Sequence, residues 1–267
     1  MIRIVVAGAA GRMGKAILCL AHQDPAFKIV GGLEHEDCPL MGEDVGDLIG
    51  CDALGAKLVS RPDVLLKEAD VLIDFTQAAA VPETLKAVLK TGVRYVVGTT
   101  GIKKDVLKLL QAASKKVAIV QSPNMSIGVN VLFGLTELAG KFLDQAYDIE
   151  ISEIHHRGKK DAPSGTALKL LEILSVARQI NSEKDARYGR KGDIGARTRE
   201  EIGVMALRGG DVVGEHTVYF LGSGERIELT HRATSRDAFA LGALKAAKFV
   251  AGKKSGFFDM RQVLGLT

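Results

Sequence analysis

Residues 153–167 bring together side chains that bind anions and side chains that carry protons. His155 and His156 are adjacent, and Lys159 follows three residues later. A lysine ammonium is a compact positive charge, and a histidine exchanges protons near neutral pH. The spacing predicts a site that captures a small anionic substrate beside an acid/base group. We assign His155 and Lys159 as the acid/base pair.

The same run leads into a predicted helix. The sequence continues through Ser164 and Thr166 into an apolar stretch that predicts a helix over residues 166–180. Unpaired N–H groups and the helix dipole attract carboxylate or phosphate groups at such a start, which either Ser164 or Thr166 could cap. The alternative is a solvated basic loop that contacts nucleic acid. The run has no aromatic residue on which a base would stack, and it follows a predicted strand over residues 148–154, so we favour an active site.

A second group of residues predicts a dinucleotide site early in the chain. Gly8, Gly11 and Gly14 follow a predicted strand over residues 2–7 and open a predicted helix. Their spacing is Gly-x-x-Gly-x-x-Gly, and glycines here permit a tight turn and a close approach of the backbone to a pyrophosphate. A plain turn is the alternative. Glu34 ends the next strand, where an acidic residue can bind the ribose hydroxyls, and this order favours a dinucleotide.

The loop also resembles a known family. Glu153-x-His-His-Arg-x-Lys-x-Asp-Ala-Pro-Ser-Gly-Thr-Ala167 is similar to the signature loop of the 4-hydroxy-tetrahydrodipicolinate (dihydrodipicolinate) reductases. The similarity extends from the glycine turn at residues 8–14 to Gly256-Phe-Phe-Asp-Met260. It implies reduction of (2S,4S)-4-hydroxy-2,3,4,5-tetrahydrodipicolinate with NADH, NADPH or both. Hydride passes from nicotinamide C4 to ring C4, water leaves, and the product is tetrahydrodipicolinate.

The resemblance implies roles for individual residues. Lys159 holds a carboxylate and helps to protonate the intermediate, and Thr100 can touch the substrate from the other domain. The remaining substrate-binding residues are His156, Ser164, Gly165 and Thr166. The cofactor-binding residues are Gly8, Ala9, Ala10, Gly11, Arg12, Met13, Glu34, His35, Gly98, Thr99, Thr100, Ser122, Pro123, Asn124 and Met125. A structural role for His156 remains an alternative, and Arg157 and Lys160 are expected to be solvated.

Hydrophobic periodicity predicts an α/β protein with two domains. Continuous Val/Ile/Leu runs alternate with helical patterns in the first half, which indicates a Rossmann-like, doubly wound parallel sheet. After residue 201 strands recur without helices between them, which indicates an α+β substrate and oligomerisation domain with an open mixed sheet. We expect residues 1–126 and 237–267 to form the dinucleotide-binding domain. Residues 127–236 should form the substrate-binding domain, on whose sheet the resemblance implies a homotetramer.

Within this plan the individual elements follow from the same patterns. Residues 34–55 are expected to form a long loop, residues 61–68 a helix, residues 181–199 a polar connection, and residues 222–224 the turn of a hairpin. A helix over residues 237–251 should return to the first domain.

Composition excludes several classes of protein. The net charge of +4 is too small for a nucleic-acid-binding surface, and no apolar run has the length of a membrane span. Cys19, Cys38 and Cys51 show no metal-ligand or disulfide spacing, which fits a reducing compartment and a cytoplasmic protein. We expect no metal. Two alternatives remain: a related NAD(P)-dependent amino-acid dehydrogenase, and a non-enzymatic dinucleotide sensor, for which no effector module is evident.

Overall fold

The computed structural model describes residues 1–266 of the 267-residue chain. Its strands are β1 Ile2–Ala7, β2 Phe27–Leu33, β3 Leu58–Val59, β4 Val71–Asp74, β5 Arg94–Val97, β6 Ala118–Gln121, β7 Asp148–His155, β8 Ala186–Arg187, β9 Ile202–Arg208, β10 Gly214–Leu221, β11 Arg226–Ala233 and β12 Gly256–Phe258. Its helices are α1 Arg12–Gln23, α2 Val45–Ile49, α3 Pro62–Leu65, α4 Val81–Thr91, α5 Lys104–Ala113, α6 Ile127–Phe142, α7 Gly165–Arg178, α8 Ser182–Asp185, α9 Asp237–Ala251 and α10 Met260–Leu264.

The chain divides into two compact units, Met1–Ile127 with Arg236–Thr267, and Gly128–Ser235. The first unit contains a seven-stranded sheet in the order β12-β6-β5-β4-β1-β2-β3, with every pair parallel. Apolar side chains cover both faces of this sheet. Ile4 and Val6 join the core beneath α1 and α9, whereas Val5 and Ala7 join the core beneath α4 and α5. The predicted doubly wound fold is confirmed.

The second unit contains a five-stranded mixed sheet in the order β11-β10-β7-β9-β8. β10 is antiparallel to both of its neighbours, and β7, β9 and β8 run parallel. Residues of α6 and α7 pack on one face, around Phe133, Leu170 and Phe220. The open mixed sheet predicted from the sequence is confirmed, as is the hairpin that joins β10 to β11, where Gly224 adopts a left-handed conformation (φ 87°).

Three local predictions differ from the structure. The loop expected over residues 34–55 contains α2, which begins because the Asp44 side chain accepts a hydrogen bond from Gly46 N. The helix expected over residues 61–68 ends at Leu65, beyond which Glu68 N bonds back to Leu65 O in a tighter turn. The polar connection expected over residues 181–199 includes α8 and the two-residue strand β8.

The remaining differences are element ends and short elements. α7 stops at Arg178 because Gln179 takes up a left-handed conformation (φ 55°). β3, β12 and α10 were not predicted. Among residues 1–266, no helix is both long enough and apolar enough to span a membrane. Within the same residues, no group of three His, Cys, Asp or Glu side chains is placed to hold a metal ion.

Candidate active site

The predicted cofactor residues of the first unit lie at one edge of its sheet. Because all the strands are parallel, the loops that follow β1, β2, β4, β5 and β6 leave the sheet at its carboxyl edge. The chain passes from β1 outward to β3 and then returns to β4 on the other side of β1. Such a reversal of strand order creates a crevice in which open α/β sheets bind ligands. The residues at these strand ends are Gly8–Gly11, Glu34, Phe75–Thr76, Gly98–Thr100 and Ser122–Met125.

The glycine turn after β1 is tightly packed. Gly8 adopts a left-handed conformation (φ 76°), and Gly11 N bonds back to Gly8 O at 3.0 Å. A Cβ on Gly14 would lie 2.6 Å from Ala9 Cα, so the first turn of α1 rests directly on the glycine turn. In the described residues no side chain caps α1. The start of this helix therefore offers backbone N–H groups at close range, as a pyrophosphate requires.

Glu34 contacts the glycine turn. Its Oε1 accepts a hydrogen bond from Ala10 N at 2.9 Å, and its Oε2 accepts one from His35 N at 3.3 Å. The structure thus brings together the acidic residue and the turn that the sequence pattern associates with one ligand. His35 is exposed, and its Nδ1 lies 3.2 Å from Asp37 Oδ2. This contact with Asp37 was not expected from the sequence.

A buried carboxylate organises the next two strand ends. Asp74 accepts hydrogen bonds from Thr76 N and Oγ1 at 2.8 and 2.6 Å, from Tyr95 Oη at 2.5 Å and from Thr99 Oγ1 at 3.3 Å. Burial, followed by the charge of Asp74, raises the pKa of Tyr95 well above its ordinary value. Thr99 is consequently turned into the protein, whereas Thr100 is exposed. Of these two threonines, Thr100 is the one available to a ligand.

The loop after β6 is held by its own side chains. Ser122 Oγ donates to Asn124 O at 2.8 Å, and Asn124 Oδ1 accepts from Ser126 N at 2.9 Å. Ser122 and Met125 are buried, and Pro123 is exposed. A ligand at this loop would therefore meet chiefly Pro123, Asn124 and the backbone.

In the second unit, His155 is paired with a buried acid. Alternate residues of β7 point into the core, and this alternation places Glu153 and His155 on the same face as Ile149 and Ile151. His155 Nδ1 lies 2.5 Å from Glu153 Oε2. Burial lowers the pKa of His155, and the bond to Glu153 opposes that change without cancelling it. The imidazole is therefore predominantly neutral at neutral pH.

Arg208 connects the pair to the signature loop. It lies opposite His155 on β9 and donates to both oxygens of Glu153, at 2.8 and 2.9 Å. It also donates to Asp161 O at 2.7 Å. Burial favours protonation of Glu153, but the bonds from Arg208, His155 and Ser164 outweigh it and lower the pKa of this carboxyl group. Arg208 thus ties the strand to the loop.

Lys159 is held by the same loop. Its Nζ lies 2.9 Å from both carboxylate oxygens of Asp161, and its side chain is 20% exposed. The bond from Lys159 lowers the pKa of Asp161. Lys159 and His155 are therefore linked through Asp161, Arg208 and Glu153. The two predicted acid/base residues belong to one connected network.

Ser164 joins α7 to the same network. Its Oγ accepts from Ala167 N at 3.2 Å, which confirms it as the cap of α7, and lies 2.9 Å from His216 Nε2. Its own N–H donates to Glu153 Oε1 at 3.0 Å. Burial lowers the pKa of His216 to about 3, and its ring stands edge-on to His155 at 5.2 Å. Ser164 is thus a buried connector, whereas Gly165 and Thr166 reach solvent at the helix start.

The other residues of the loop differ in exposure. His156 is half-buried and donates its N–H to Val212 O at 2.7 Å, so its backbone is fixed while its ring lies at the surface. Arg157, Gly158 and Lys160 are exposed, in agreement with the solvated role expected for the two basic residues.

Three residues with central positions in the network of the second unit, Glu153, His216 and Arg208, were given no role from the sequence. Glu153 lies within the signature run, and its place in the alternation of β7 is a readable signal. His216 lies opposite Glu153 on β10, a register that the sequence does not reveal. Arg208 is separated from Glu153 by 55 residues. Asp74 differs from these three, because its place with Phe75 and Thr76 at the end of a buried strand predicts that it borders the cofactor.

The fold places the chain among the Rossmann-like proteins, in which a parallel sheet is the scaffold for a dinucleotide, here with a second unit built on a mixed sheet. The chain belongs to the dihydrodipicolinate reductase family. The model of the N-terminus of that family matches residues 2–125, and the model of its C-terminus matches residues 128–264.

Individual relatives agree with this assignment. The chain is 53% identical to the 4-hydroxy-tetrahydrodipicolinate reductase of Aquifex aeolicus, over 99% of each chain. It is 45% identical to that of Syntrophotalea carbinolica, over the full length of both. Among solved structures, dipicolinate-bound dihydrodipicolinate reductase from Paenisporosarcina sp. TG-14 is similar, with 25% identity, a TM-score of 0.77 and 97% of each chain covered. An amine dehydrogenase from Mycobacterium smegmatis shares the fold alone, at 14% identity and a TM-score of 0.60.

Proposed function

We propose that the chain catalyses the NAD(P)H-dependent reduction of (2S,4S)-4-hydroxy-2,3,4,5-tetrahydrodipicolinate to tetrahydrodipicolinate, in the biosynthesis of diaminopimelate and lysine. The observation that carries this proposal is the network from His155 to Lys159 at the start of α7, in a chain whose relatives bear this name. The network supplies a proton carrier and a cation beside exposed helix N–H groups. A small dicarboxylate matches that combination of charges.

The first unit fits a dinucleotide. A Cβ on Gly14 would collide with the backbone of Gly8 and Ala9, and one on Gly8 would lie 3.1 Å from Phe75 O, so these glycines let the turn pack closely at the start of α1, where a pyrophosphate binds. We assign the glycine turn to the pyrophosphate, Glu34 to the ribose, and Thr100 with Pro123 and Asn124 to the nicotinamide end. A bound reduced nicotinamide supplies the hydride. The residues of this unit hold the cofactor in place and exclude water from it.

The second unit contributes charge and protons. Lys159 Nζ binds a substrate carboxylate in place of Asp161, which it contacts in the structure. The same ammonium group donates a proton to the reduced ring. His155 exchanges a proton through Nε2, since Nδ1 is engaged by Glu153. Positioned proton transfer contributes roughly 10²–10⁴-fold to a rate. The N–H groups of Gly165 and Thr166 receive the second carboxylate, with His156 at the rim.

We also propose that the chain forms a cytoplasmic homotetramer through the sheet of the second unit. β11 is an edge strand of that sheet, and Arg226, Ile227 and Glu228 on it are exposed. Exposed strand edges in water-soluble proteins are normally covered. Light scattering of the purified chain at micromolar concentration should report four copies, and a monomer would contradict this assembly.

The test of the activity is NADH or NADPH oxidation by the purified chain upon addition of the substrate. The expected result is oxidation that depends on this hydroxy-tetrahydrodipicolinate and is inhibited by dipicolinate, the ligand of the Paenisporosarcina relative. Oxidation with 2-oxo acids and ammonia instead would identify an amino-acid dehydrogenase. Cofactor binding without turnover of either kind of substrate would indicate a sensor.

A further inference from the structure

The Glu153 carboxylate is fully enclosed and has all of its hydrogen-bonding capacity in use. Its side chain is 0% exposed. Oε1 accepts from Ser164 N and Arg208 Nη2, and Oε2 accepts from Arg208 Nη1 and lies against His155 Nδ1. A buried charge is strongly unfavourable unless such partners surround it. A group with no free oxygen lone pair and no access to solvent does not bind substrate, so its function must act through its neighbours.

The neighbour that it can control is His155. Because Arg208 keeps the carboxylate charged, Glu153 is an acceptor only, and the nitrogen facing it must carry the hydrogen. The other ring nitrogen lies toward the start of β10. A Cβ on Gly214 would stand 3.0 Å from His155 Nε2, and the glycine leaves that nitrogen uncrowded.

We propose that Glu153, held by Arg208, is a positioning residue that fixes the His155 imidazole with its hydrogen on Nδ1 and so reserves Nε2 for proton exchange in the reaction. The inference rests on the proposed function, because it assumes that His155 is the proton-transfer group. Arg208 has two roles in this arrangement. It keeps Glu153 ionised, and through Asp161 O it holds the loop that carries Lys159 at a constant distance from the strand.

The charged and titratable groups around the imidazole come from every element that packs against it. They are Glu153 on its own strand, Arg208 on β9, His216 on β10 and Lys159 on the loop after β7. Glu153 is the group among them that favours the protonated ring, whereas Lys159 and Arg208 oppose it. Removing the negative charge should therefore lower the pKa of His155 further. The limb of the kcat–pH profile that follows His155 should move to lower pH.

Glu153→Gln tests this inference, and Glu150→Gln is its matched control. Glu150 lies on the same strand and is clamped by Arg190 at 3.0 and 2.7 Å, in the same two-point manner, on the opposite face from His155. Glu153→Gln should lower kcat about 10- to 100-fold, a part of what positioned proton transfer supplies, with little change in KM for the substrate. It should also shift the kcat–pH profile, while Glu150→Gln retains the wild-type kcat and profile. Equal losses in the two variants, or an unshifted profile in Glu153→Gln, would overturn the proposal.

A measurement on the wild-type protein tests the tautomer without reference to activity. Neutron diffraction from deuterated crystals at about pH 8, where an ordinary histidine is neutral, locates the single ring deuteron. We expect it on Nδ1 of His155. A deuteron on Nε2, or on the Glu153 carboxyl group, would overturn the proposal even if Glu153→Gln failed to fold. An inactive wild-type chain would remove the proposed function, but the deuteron position would still decide the role of Glu153.

Discussion

Replacing Gly14 by alanine should loosen the contact between the glycine turn and α1. The added Cβ would lie 2.6 Å from Ala9 Cα, 2.7 Å from Ala9 O and closer still to Gly8 O. Carbon atoms in proteins pack at about 3.5–4.0 Å, so the first turn of α1 and the glycine turn must separate by about 1 Å. All three contacts are with backbone atoms, which have no alternative rotamer with which to yield.

The size of the effect follows from that separation. Overpacking of a well-packed contact costs about 1–3 kcal/mol. If the chain relieves the strain by moving the turn, the N–H groups that face a pyrophosphate are displaced, and NADH affinity should fall about tenfold for each 1.4 kcal/mol lost. If the strain remains, the loss appears in the stability of the first unit instead.

Two quantities test this argument: the Kd of NADH, measured by calorimetry, and the free energy of unfolding, measured in urea. Gly134→Ala is the matched control, because this glycine also lies in a helix and its added Cβ would meet nothing within 4 Å. The control should keep NADH affinity and gain about 0.5–1 kcal/mol in stability. A Gly14→Ala variant with wild-type affinity and wild-type stability would refute the packing argument.

Further outcomes are expected at other residues. Lys159→Ala should abolish most turnover while NADH affinity stays nearly unchanged, because Lys159 belongs to the unit without the glycine turn. A parallel loss of NADH binding, measured by calorimetry, would contradict this division of roles between the two units. Burial lowers the pKa of His216 to about 3. Below about pH 6.5 this histidine therefore binds a proton in the unfolded chain but stays neutral in the folded chain. The free energy of unfolding should therefore be constant above that pH and fall by up to about 2 kcal/mol by about pH 5. Urea titrations at several pH values should show a weaker pH dependence for His216→Gln than for the wild-type protein. His35 is exposed directly after Glu34, the residue assigned to the ribose, so its side chain can reach a 2′-phosphate on that ribose. His35→Gln should weaken NADPH binding more than NADH binding, and an unchanged ratio of the two Kd values by calorimetry would show that His35 does not contact the phosphate.

Much of the fold was predictable because burial leaves a strong periodic pattern. β1 and α9 have the bounds expected from their apolar patterns, and the three strands β9, β10 and β11 recur after residue 201 without helices between them, as expected. The short elements were not predictable in the same way. β3 has two residues that pair with the end of β2, and β12 has three that pair with β6, so their existence depends on neighbours distant in sequence. Local sequence propensity does not predict strands whose formation depends on such distant neighbours.

The candidate site was predictable in part for a related reason. The His/Lys run, the capped helix start and the glycine turn are local patterns, and the structure places each of them at a loop beside a strand end. Glu153 lies two residues before His155 on the same strand, so the alternation of β7 alone places the two side chains on one face. Arg208 depends on the parallel register between β7 and β9, which joins residues far apart in the chain, and this contact could not be read from the sequence.

The division of the chain has a consequence for the order in which it can fold during synthesis. The core of the second unit, around Phe133 and Phe220, is drawn wholly from one continuous segment. The first unit depends on α9, whose Ala243 and Ala247 complete the core over Ile4 and Val6. A ribosome-bound chain that ends near residue 235 therefore contains every residue of the second unit, while the sheet face of the first unit that α1 and α9 cover together still lacks α9. We expect the second unit to mature first and the first unit to require chaperone protection until α9 has emerged.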